Sequence, residues 1–229
     1  MFFPEKITSI KTTDKVLEIG PGANPYHRSD VLLEMAFEDA LEYEKQFGHA
    51  EKLMTNKPIF FYNGEMFPFK DNEFDYIICS HVIEHVKNIP LFLTEIFRVA
   101  KQGYIEYPLI YYEYLYNFDV HINFVKYNNG CLNYLIKEKT SLNEFRAVQD
   151  FYYETLQKGH VNIINELMPL MMEGFEWNGP FEFREVTTVS EVSHKTFVIP
   201  ESLLQKQASK KEETVLELLK KLIKKIVKK

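Results

Sequence analysis

The sequence predicts an α/β fold built on a mostly parallel sheet. Short apolar runs recur along the first half of the chain, helical patterns separate some of them, and turn residues follow several of them. Buried parallel strands are typically such runs, and alternation of strands with helices is typical of a sheet covered on both faces. Five runs have this character: KVLEIG from residue 15, DVLLEM from 30, PIFFY from 58, FDYIICS from 74 and GYIEYP from 103.

The turns and helices predicted between these runs support the same fold class. KVLEIG ends at a glycine, and the PGANP that follows it cannot continue a strand. AFEDALEYEKQF, from residue 36, has a mostly helical composition. IPLFLTEIFRVA, from residue 89, repeats its apolar residues near helical spacing. A helix is therefore expected before the fifth strand.

Beyond Pro108 the pattern changes. INFVKYNNGCLNYLIK alternates on both sides of Asn129 and Gly130, and Asn-Gly is the strongest short hairpin signal. Helical patterns follow at residues 142–157 and 161–172, and PFEFREVTTV from residue 180 is typical of a last strand. The second half therefore predicts an antiparallel pair, two helices and one more strand.

Charge divides the chain into two parts. Residues 209–229 carry eight lysines against three glutamates, a net charge of +5, which leaves −11 for the rest of a chain whose total is −6. An acidic body of this kind does not attract nucleic-acid phosphates. Two distant cysteines fit neither a disulfide framework nor a metal pattern, and the first residues lack a signal-peptide pattern. We expect a cytoplasmic protein without a nucleic-acid partner.

Four segments in order resemble a known enzyme family. VLEIGPG, DVLLE, NGEMFPFKDNEFDYIICSHVIEHV and TEIFRVAKQGYIEYP together resemble the class I S-adenosylmethionine-dependent methyltransferases, type 11 methyltransferase domain, over residues 15–108. The resemblance implies a Rossmann-like, seven-stranded, mostly parallel sheet with an antiparallel C-terminal hairpin. It also implies methyl transfer with S-adenosyl-L-methionine as the cofactor. We expect a methyltransferase domain at residues 1–205, with a cofactor core at 15–108 and a substrate region at 109–180.

The resemblance carries cofactor roles onto residues at the ends of the predicted strands. Glu34 resembles the acidic residue that accepts both ribose hydroxyls, a role that suits a carboxylate because it only accepts hydrogen bonds. Asn63 replaces the family's usual aspartate at the adenine amino group, where its amide oxygen can still accept. Too few residues separate Gly22 from Asp30 for the family's first helix. The full predicted set is Glu18, Gly20, Gly22, Glu34, Asn63, Gly64 and Ser80.

The sequence identifies the catalytic residues less specifically than the cofactor-binding residues. Methyl transfer asks an enzyme mainly to align the acceptor, to exclude water and, where a hydroxyl reacts, to take its proton. His81, directly after the fourth strand, is the candidate base, and His121 and Glu106 are further candidates. The aromatic segment YPLIYYEYLYNF from residue 107 suits an acceptor with sugars, planar rings or a methylated amine. A small molecule or glycan, lipid-linked ones included, is the expected acceptor.

Two other functions compete with this interpretation. SHVIEHV contains H-x-x-E-H, the signature of a class of zinc peptidases that need both histidines on one stable helix. Here the motif directly follows a strand, and Asn88 and Pro90 end any helix early, so we expect no bound metal. The alternatives are a zinc metallohydrolase and a catalytically silent module that binds the cofactor without turnover.

The C-terminal segment, residues 206–229, predicts a basic amphipathic helix. Its apolar residues recur at helical spacing and fill one half of the helix, and lysines fill the other half. This pattern is typical of helices that lie in a membrane interface. The alternatives are that the apolar face packs on the body of the protein or on a partner. An anionic membrane surface is therefore a candidate partner.

Overall fold

The computed structural model describes residues 1–36, 53, 55–159 and 162–194. The chain divides into two compact units, Met1–Ser193 and His194–Lys229. The helix predicted over residues 36–47 and the amphipathic helix predicted over 206–229 lie outside the described residues, apart from residue 36. The predicted domain boundary at residue 205 lies there too and stays a prediction.

The described residues form a mixed α/β structure around a mostly parallel sheet, as the sequence predicts. The sheet has six strands in the order β3-β2-β1-β4-β5-β8, and only β8 runs antiparallel to its neighbour. The strand order reverses between β1 and β4, and ligands of open α/β sheets bind at such a switch point. These strands are β1 Val16–Ile19, β2 Val31–Met35, β3 Ile59–Tyr62, β4 Tyr76–Ser80, β5 Gln102–Pro108 and β8 Met172–Asn178.

The predicted hairpin is present, but its predicted place in the central sheet is wrong. β6 Asn123–Asn128 and β7 Cys131–Ile136 pair antiparallel, and β7 also pairs in parallel with β9 Glu182–Glu185, which gives a separate three-stranded sheet. Among the described residues, the central sheet has six strands with β8 as its antiparallel edge, and the predicted seventh strand stays a prediction. The pairing of β8 with β5 requires a glycine at position 174, because a Cβ there would lie 2.1 Å from the Tyr104 hydroxyl oxygen.

Four helices are described: α1 Ile89–Val99, α2 Ile110–Tyr116, α3 Arg146–Gln157 and α4 Asn162–Met171. α1 confirms the helix predicted before the fifth strand, and Asn88 caps its N-terminus, where the Asn88 Oδ1 accepts the Leu91 N–H at 3.1 Å. α3 and α4 confirm the two later helical patterns. Leu93 and Ile96 of α1 are fully buried against the sheet. Burial of such side chains contributes about 1.5–3 kcal/mol each and fixes the parallel strands beneath.

Candidate active site

A glycine turn follows β1 at the carboxyl edge of the sheet. Gly20 and Gly22 have φ values of +62° and +57°, which L side chains rarely adopt. A Cβ at Gly20 would lie 2.4 Å from Val82 Cγ2, so this glycine also allows the turns after β1 and β4 to approach each other. A Cβ at Gly22 would meet nothing within 4 Å among the described atoms. The turn therefore leaves open space beside Gly22, and residues 20–30 contain no helix, as the sequence predicts.

Glu18, in β1, stabilises the chain segment that follows this turn. Its side chain is buried, and one carboxylate oxygen accepts the Tyr26 N–H at 2.8 Å and the Ser29 hydroxyl at 2.6 Å. Burial raises the pKa of Glu18, and these two hydrogen bonds oppose that rise. The carboxylate therefore holds residues 26–29 against the strand. Sequence reasoning placed Glu18 against the ligand, but these contacts give it a role in shaping the turn.

Glu34 is differently placed, in the last part of β2. Its side chain is half-buried and Oε1 accepts the Met35 N–H at 2.9 Å. Burial is the main cause that raises the pKa of Glu34, and no cation of the described residues forms an ion pair with it. A carboxylate of this kind still has acceptor capacity for neutral hydroxyl donors.

Asn63 and Gly64 lie in the turn after β3, beside the end of β2. Asn63 is exposed and its Oδ1 accepts the Glu65 N–H at 3.2 Å. Gly64 has a φ of +88°, and a Cβ there would lie 3.2 Å from Met35 Cε. Met35 directly follows Glu34, so the structure brings Glu34, Asn63 and Gly64 to neighbouring strand ends.

Ser80, His81 and Glu106 form one hydrogen-bonded cluster at the ends of β4 and β5. Ser80 and Glu106 are register partners, and the Ser80 hydroxyl donates to Glu106 Oε1 at 2.9 Å. His81 Nε2 lies 3.0 Å from the same oxygen, and its backbone takes the left-handed conformation with φ +57°. Glu106 also accepts the Phe2 and Phe3 N–H groups and the Tyr104 hydroxyl. Its carboxylate is therefore fully engaged and is not available as a base.

The same contacts argue against His81 as a base. Burial lowers the pKa of His81, but the hydrogen bond with Glu106 and the nearby Glu84 carboxylate outweigh it and raise the pKa to about 9. Burial raises the pKa of Glu106, but His81 and Tyr104 lower it to about 2. His81 Nδ1 lies 3.4 Å from Glu84 Oε1, so both ring nitrogens face carboxylates. His81 is thus a cationic donor between two carboxylates and has no lone pair for an acceptor proton.

His121, the third candidate, lies in a different cluster. Its Nδ1 contacts Glu113, and its ring lies against that of His85 with the ring centroids 4.6 Å apart. Sequence reasoning missed Glu84 and Glu113, which are both buried here. Glu84 had a signal in the H-x-x-E-H pattern, whereas Glu113 has none, because it lies within an aromatic run.

A family model matches the part of the chain that forms this edge of the sheet. Residues 17–105 match the model of a methyltransferase domain, a stretch that spans β1 to β5 and includes the glycine turn, Glu34 and the Ser80 cluster. These residues are therefore similar to a methyltransferase domain. This is the domain type that the sequence resemblance to class I S-adenosylmethionine-dependent methyltransferases implies.

Solved structures with a similar fold include three bacterial proteins. The YcgJ protein from Bacillus subtilis is 24% identical, with 44% of this chain and 47% of that chain covered and a TM-score of 0.33. A SAM-dependent methyltransferase from Aquifex aeolicus is 20% identical, with 42% of this chain and 57% of that chain covered and a TM-score of 0.30. A SAM-dependent methyltransferase from Thermotoga maritima is 20% identical, with 46% of this chain and 49% of that chain covered and a TM-score of 0.32. This chain thus spans about half the length of these proteins, and no curated protein matches it.

One cavity of the described residues lies away from the methyltransferase site. Its volume is about 520 Å³ and it is open to solvent. It is lined by the turn of the β6–β7 hairpin and by residues 176–182, and none of the predicted site residues contributes to it.

Proposed function

We propose that this protein transfers a methyl group from S-adenosylmethionine to a small molecule or a glycan, lipid-linked glycans included. The observation that carries the proposal is the combination, at one sheet edge, of open space beside Gly22 with the half-buried carboxylate of Glu34. A cofactor with a neutral ribose diol and a charged amino-acid end matches both features. A carboxylate that already had a cationic partner would be a poorer acceptor for that diol.

Each residue of the edge has a physical task in this proposal. Glu34 accepts the ribose hydroxyls, Asn63 offers an amide oxygen to the adenine, and the turn at Gly20 and Gly22 presents backbone groups to the amino-acid end. When bound, the cofactor supplies an electrophilic methyl group on a sulfonium. Ser80 and the His81 cation border that end, fixed in place by Glu106.

The acceptor side is aromatic. Tyr112 stacks on Phe118 with ring centroids 5.3 Å apart and an interplanar angle of 18°, and Phe118 lies 5.1 Å from the His121 ring. Aromatic faces of this kind bind planar rings and the apolar faces of sugars. Tyr107 does not belong to this set, because its buried hydroxyl contacts Glu173 and the Tyr127 N–H.

The peptidase alternative is not supported by the backbone. Ile83–His85 is a short 3-10 turn, and His81 precedes it in the left-handed conformation. The two histidines of H-x-x-E-H therefore do not share one face of a stable helix, which that class of zinc peptidase requires.

Product formation tests the proposed activity. We expect the full chain, incubated with S-adenosylmethionine and extracts fractionated into small hydroxylated molecules, amines and lipid-linked glycans, to release S-adenosylhomocysteine with at least one fraction. Heat-treated protein is the control. Binding of one cofactor equivalent without product in any fraction would favour the catalytically silent module instead.

We further propose that residues 206–229 attach the protein to the inner face of an anionic membrane. Apolar residues of the predicted helix contribute about 1.5–3 kcal/mol each when buried, and each lysine near an anionic leaflet adds about 1 kcal/mol. No helix within the described ranges has the length and apolarity to cross a bilayer. Surface attachment would bring the proposed site near lipid-linked acceptors.

Vesicle binding tests the membrane proposal. We expect the full chain to co-sediment with vesicles that contain anionic lipid, and a chain ending at Ala208 to remain in the supernatant. Binding of the full chain should fall at high salt, because the lysine contribution is screened. Equal sedimentation of the two chains would remove the C-terminal segment from the proposal.

A further inference from the structure

Three potential metal ligands meet beside the methyltransferase site. Glu84, His85 and His121 each offer one ligand atom, and these atoms lie within 4.8 Å of one another. Glu84 is fully buried, whereas the side chains of His85 and His121 are 18% and 13% exposed. Glu84 therefore lies at the buried side of the cluster, and the two histidines lie at the side that solvent can reach.

The Glu84 carboxylate is buried without adequate partners. Neither of its oxygens accepts a hydrogen bond from any residue that the structure describes. The nearest ring nitrogens are His81 Nδ1 at 3.4 Å and His85 Nε2 at 4.0 Å. The His81 cation faces this carboxylate from one side, yet neither carboxylate oxygen is hydrogen-bonded to a described residue, and burial of such a group is costly. The carboxylate can therefore still serve as a ligand for a metal ion that also contacts the rings of His85 and His121.

The hydrogen bonds of both histidines fix the tautomer that binds metals. His85 Nδ1 lies 3.0 Å from the Val120 carbonyl oxygen, which can only accept, so Nδ1 carries the proton. His121 Nδ1 donates to the Glu113 carboxylate in the same way. Both Nε2 atoms then carry lone pairs. Metal-binding histidines typically donate their other ring N–H to a carboxylate or a carbonyl in this manner.

The fold holds the cluster together across a long sequence separation. The Ile122 N–H donates to the Glu84 carbonyl at 2.8 Å, and Asn123 Nδ2 donates to the Val86 carbonyl at 2.7 Å. Lys137 Nζ, 3.0 Å from Glu113, fixes the carboxylate that orients His121. These contacts place the start of β6 on the turn that carries Glu84 and His85.

We propose that Glu84, His85 and His121 bind one divalent metal ion of the zinc type, and that its open coordination positions take an oxygen of the acceptor. Two imidazoles and one carboxylate form a three-ligand zinc set that leaves a position for water or substrate. Ligand atoms around 2.0–2.2 Å from one ion lie up to about 4 Å apart, so small side-chain rotations close the set. The sequence predicted no metal because the H-x-x-E-H motif directly follows a strand and lacks a long helix, and no local pattern connects His85 with His121.

The role of this ion toward the acceptor rests on the proposed function, whereas metal binding itself does not. A bound zinc ion lowers the pKa of a coordinated hydroxyl or water. Among the described catalytic candidates, His81 and Glu106 are engaged with each other, so the ion would supply the activation that neither provides. An acceptor that reacts through oxygen is the substrate class that this site fits.

Zinc alone, without S-adenosylmethionine, tests the site. We expect metal-free full chain to bind one equivalent of Zn²⁺ by calorimetry and to unfold at a higher temperature with Zn²⁺ than without it. Mg²⁺ should bind more weakly, because imidazole suits zinc better than magnesium. His85→Asn and His121→Asn should each weaken Zn²⁺ binding by at least 10-fold, and the double variant should lose it.

Matched controls separate the site from general histidine binding and from misfolding. His27→Ala removes an exposed histidine outside the cluster and should bind Zn²⁺ like the unmodified chain. Glu84→Gln preserves side-chain size, so its circular dichroism should be unchanged while Zn²⁺ affinity falls. Absence of stoichiometric Zn²⁺ binding, or equal binding by the unmodified chain and a folded His85→Asn/His121→Asn double variant, would overturn the proposal whether or not the cofactor binds.

Discussion

Replacing Glu34 by alanine is expected to weaken the binding of S-adenosylhomocysteine by about 10- to 150-fold. Hydrogen bonds that involve a charged group contribute about 1.5–3 kcal/mol each, and 1.4 kcal/mol corresponds to a factor of ten. Glu34 contacts only the Met35 N–H among the described donors, so the substitution removes ligand contacts and leaves no unpaired cation. Calorimetric titration of the unmodified and Glu34→Ala chains measures the difference.

Two further variants make this test specific. Glu34→Gln keeps the shape of the side chain but replaces one of the two acceptor oxygens by a donor group, so we expect a loss of affinity that is smaller than that of alanine. Glu182→Ala removes an exposed glutamate of β9, outside the proposed site, and should leave the affinity unchanged. An affinity of Glu34→Ala equal to that of the unmodified chain would exclude Glu34 as the ribose acceptor.

The second large effect is expected at Gly20. Gly20→Ala should lower the free energy of unfolding by about 2–5 kcal/mol, from about 1–2 kcal/mol for a left-handed L residue and about 1–3 kcal/mol for forced overpacking. The overpacking arises because the new Cβ would lie 2.4 Å from Val82 Cγ2. Urea unfolding at equilibrium measures the change.

Gly22→Ala is the matched control for this experiment. Its φ is also positive, but its Cβ would point into open space, so only the backbone cost of about 1–2 kcal/mol is expected. Adding Val82→Ala to Gly20→Ala should recover part of the steric loss, which a double-mutant cycle isolates. Equal destabilisation by the two glycine variants would contradict the close approach of the turns after β1 and β4.

The central parallel strands could be predicted because each is a short apolar run that ends in turn residues. Lys15–Gly20 and Phe74–Ser80 have this form, and the structure contains β1 and β4 there. β8 could not be predicted so easily, because Glu173, Gly174 and Glu176 interrupt its apolar residues. At the sheet edge it pairs with β5 and brings Gly174 against Tyr104, a contact between distant parts of the chain.

The candidate site divides in the same way. Positions at strand ends, such as Glu34 and Ser80, follow from strand periodicity and the resemblance to a family. The state of a side chain depends instead on its neighbours in space. Glu106 attracts donors from residues 2, 3, 80, 81 and 104, and no local pattern predicts that convergence. The same is true of His121, which reaches His85 only through the docking of β6.

The most direct test of the central claim is a crystal structure of the full chain with S-adenosylhomocysteine. We expect the ligand at the carboxyl edge of β1, β2 and β4, with both ribose hydroxyls within hydrogen-bond distance of the Glu34 carboxylate and the amino-acid end beside Gly20 and Gly22. Ligand bound in the cavity between the hairpin turn and residues 176–182, with the glycine edge empty, would contradict the account.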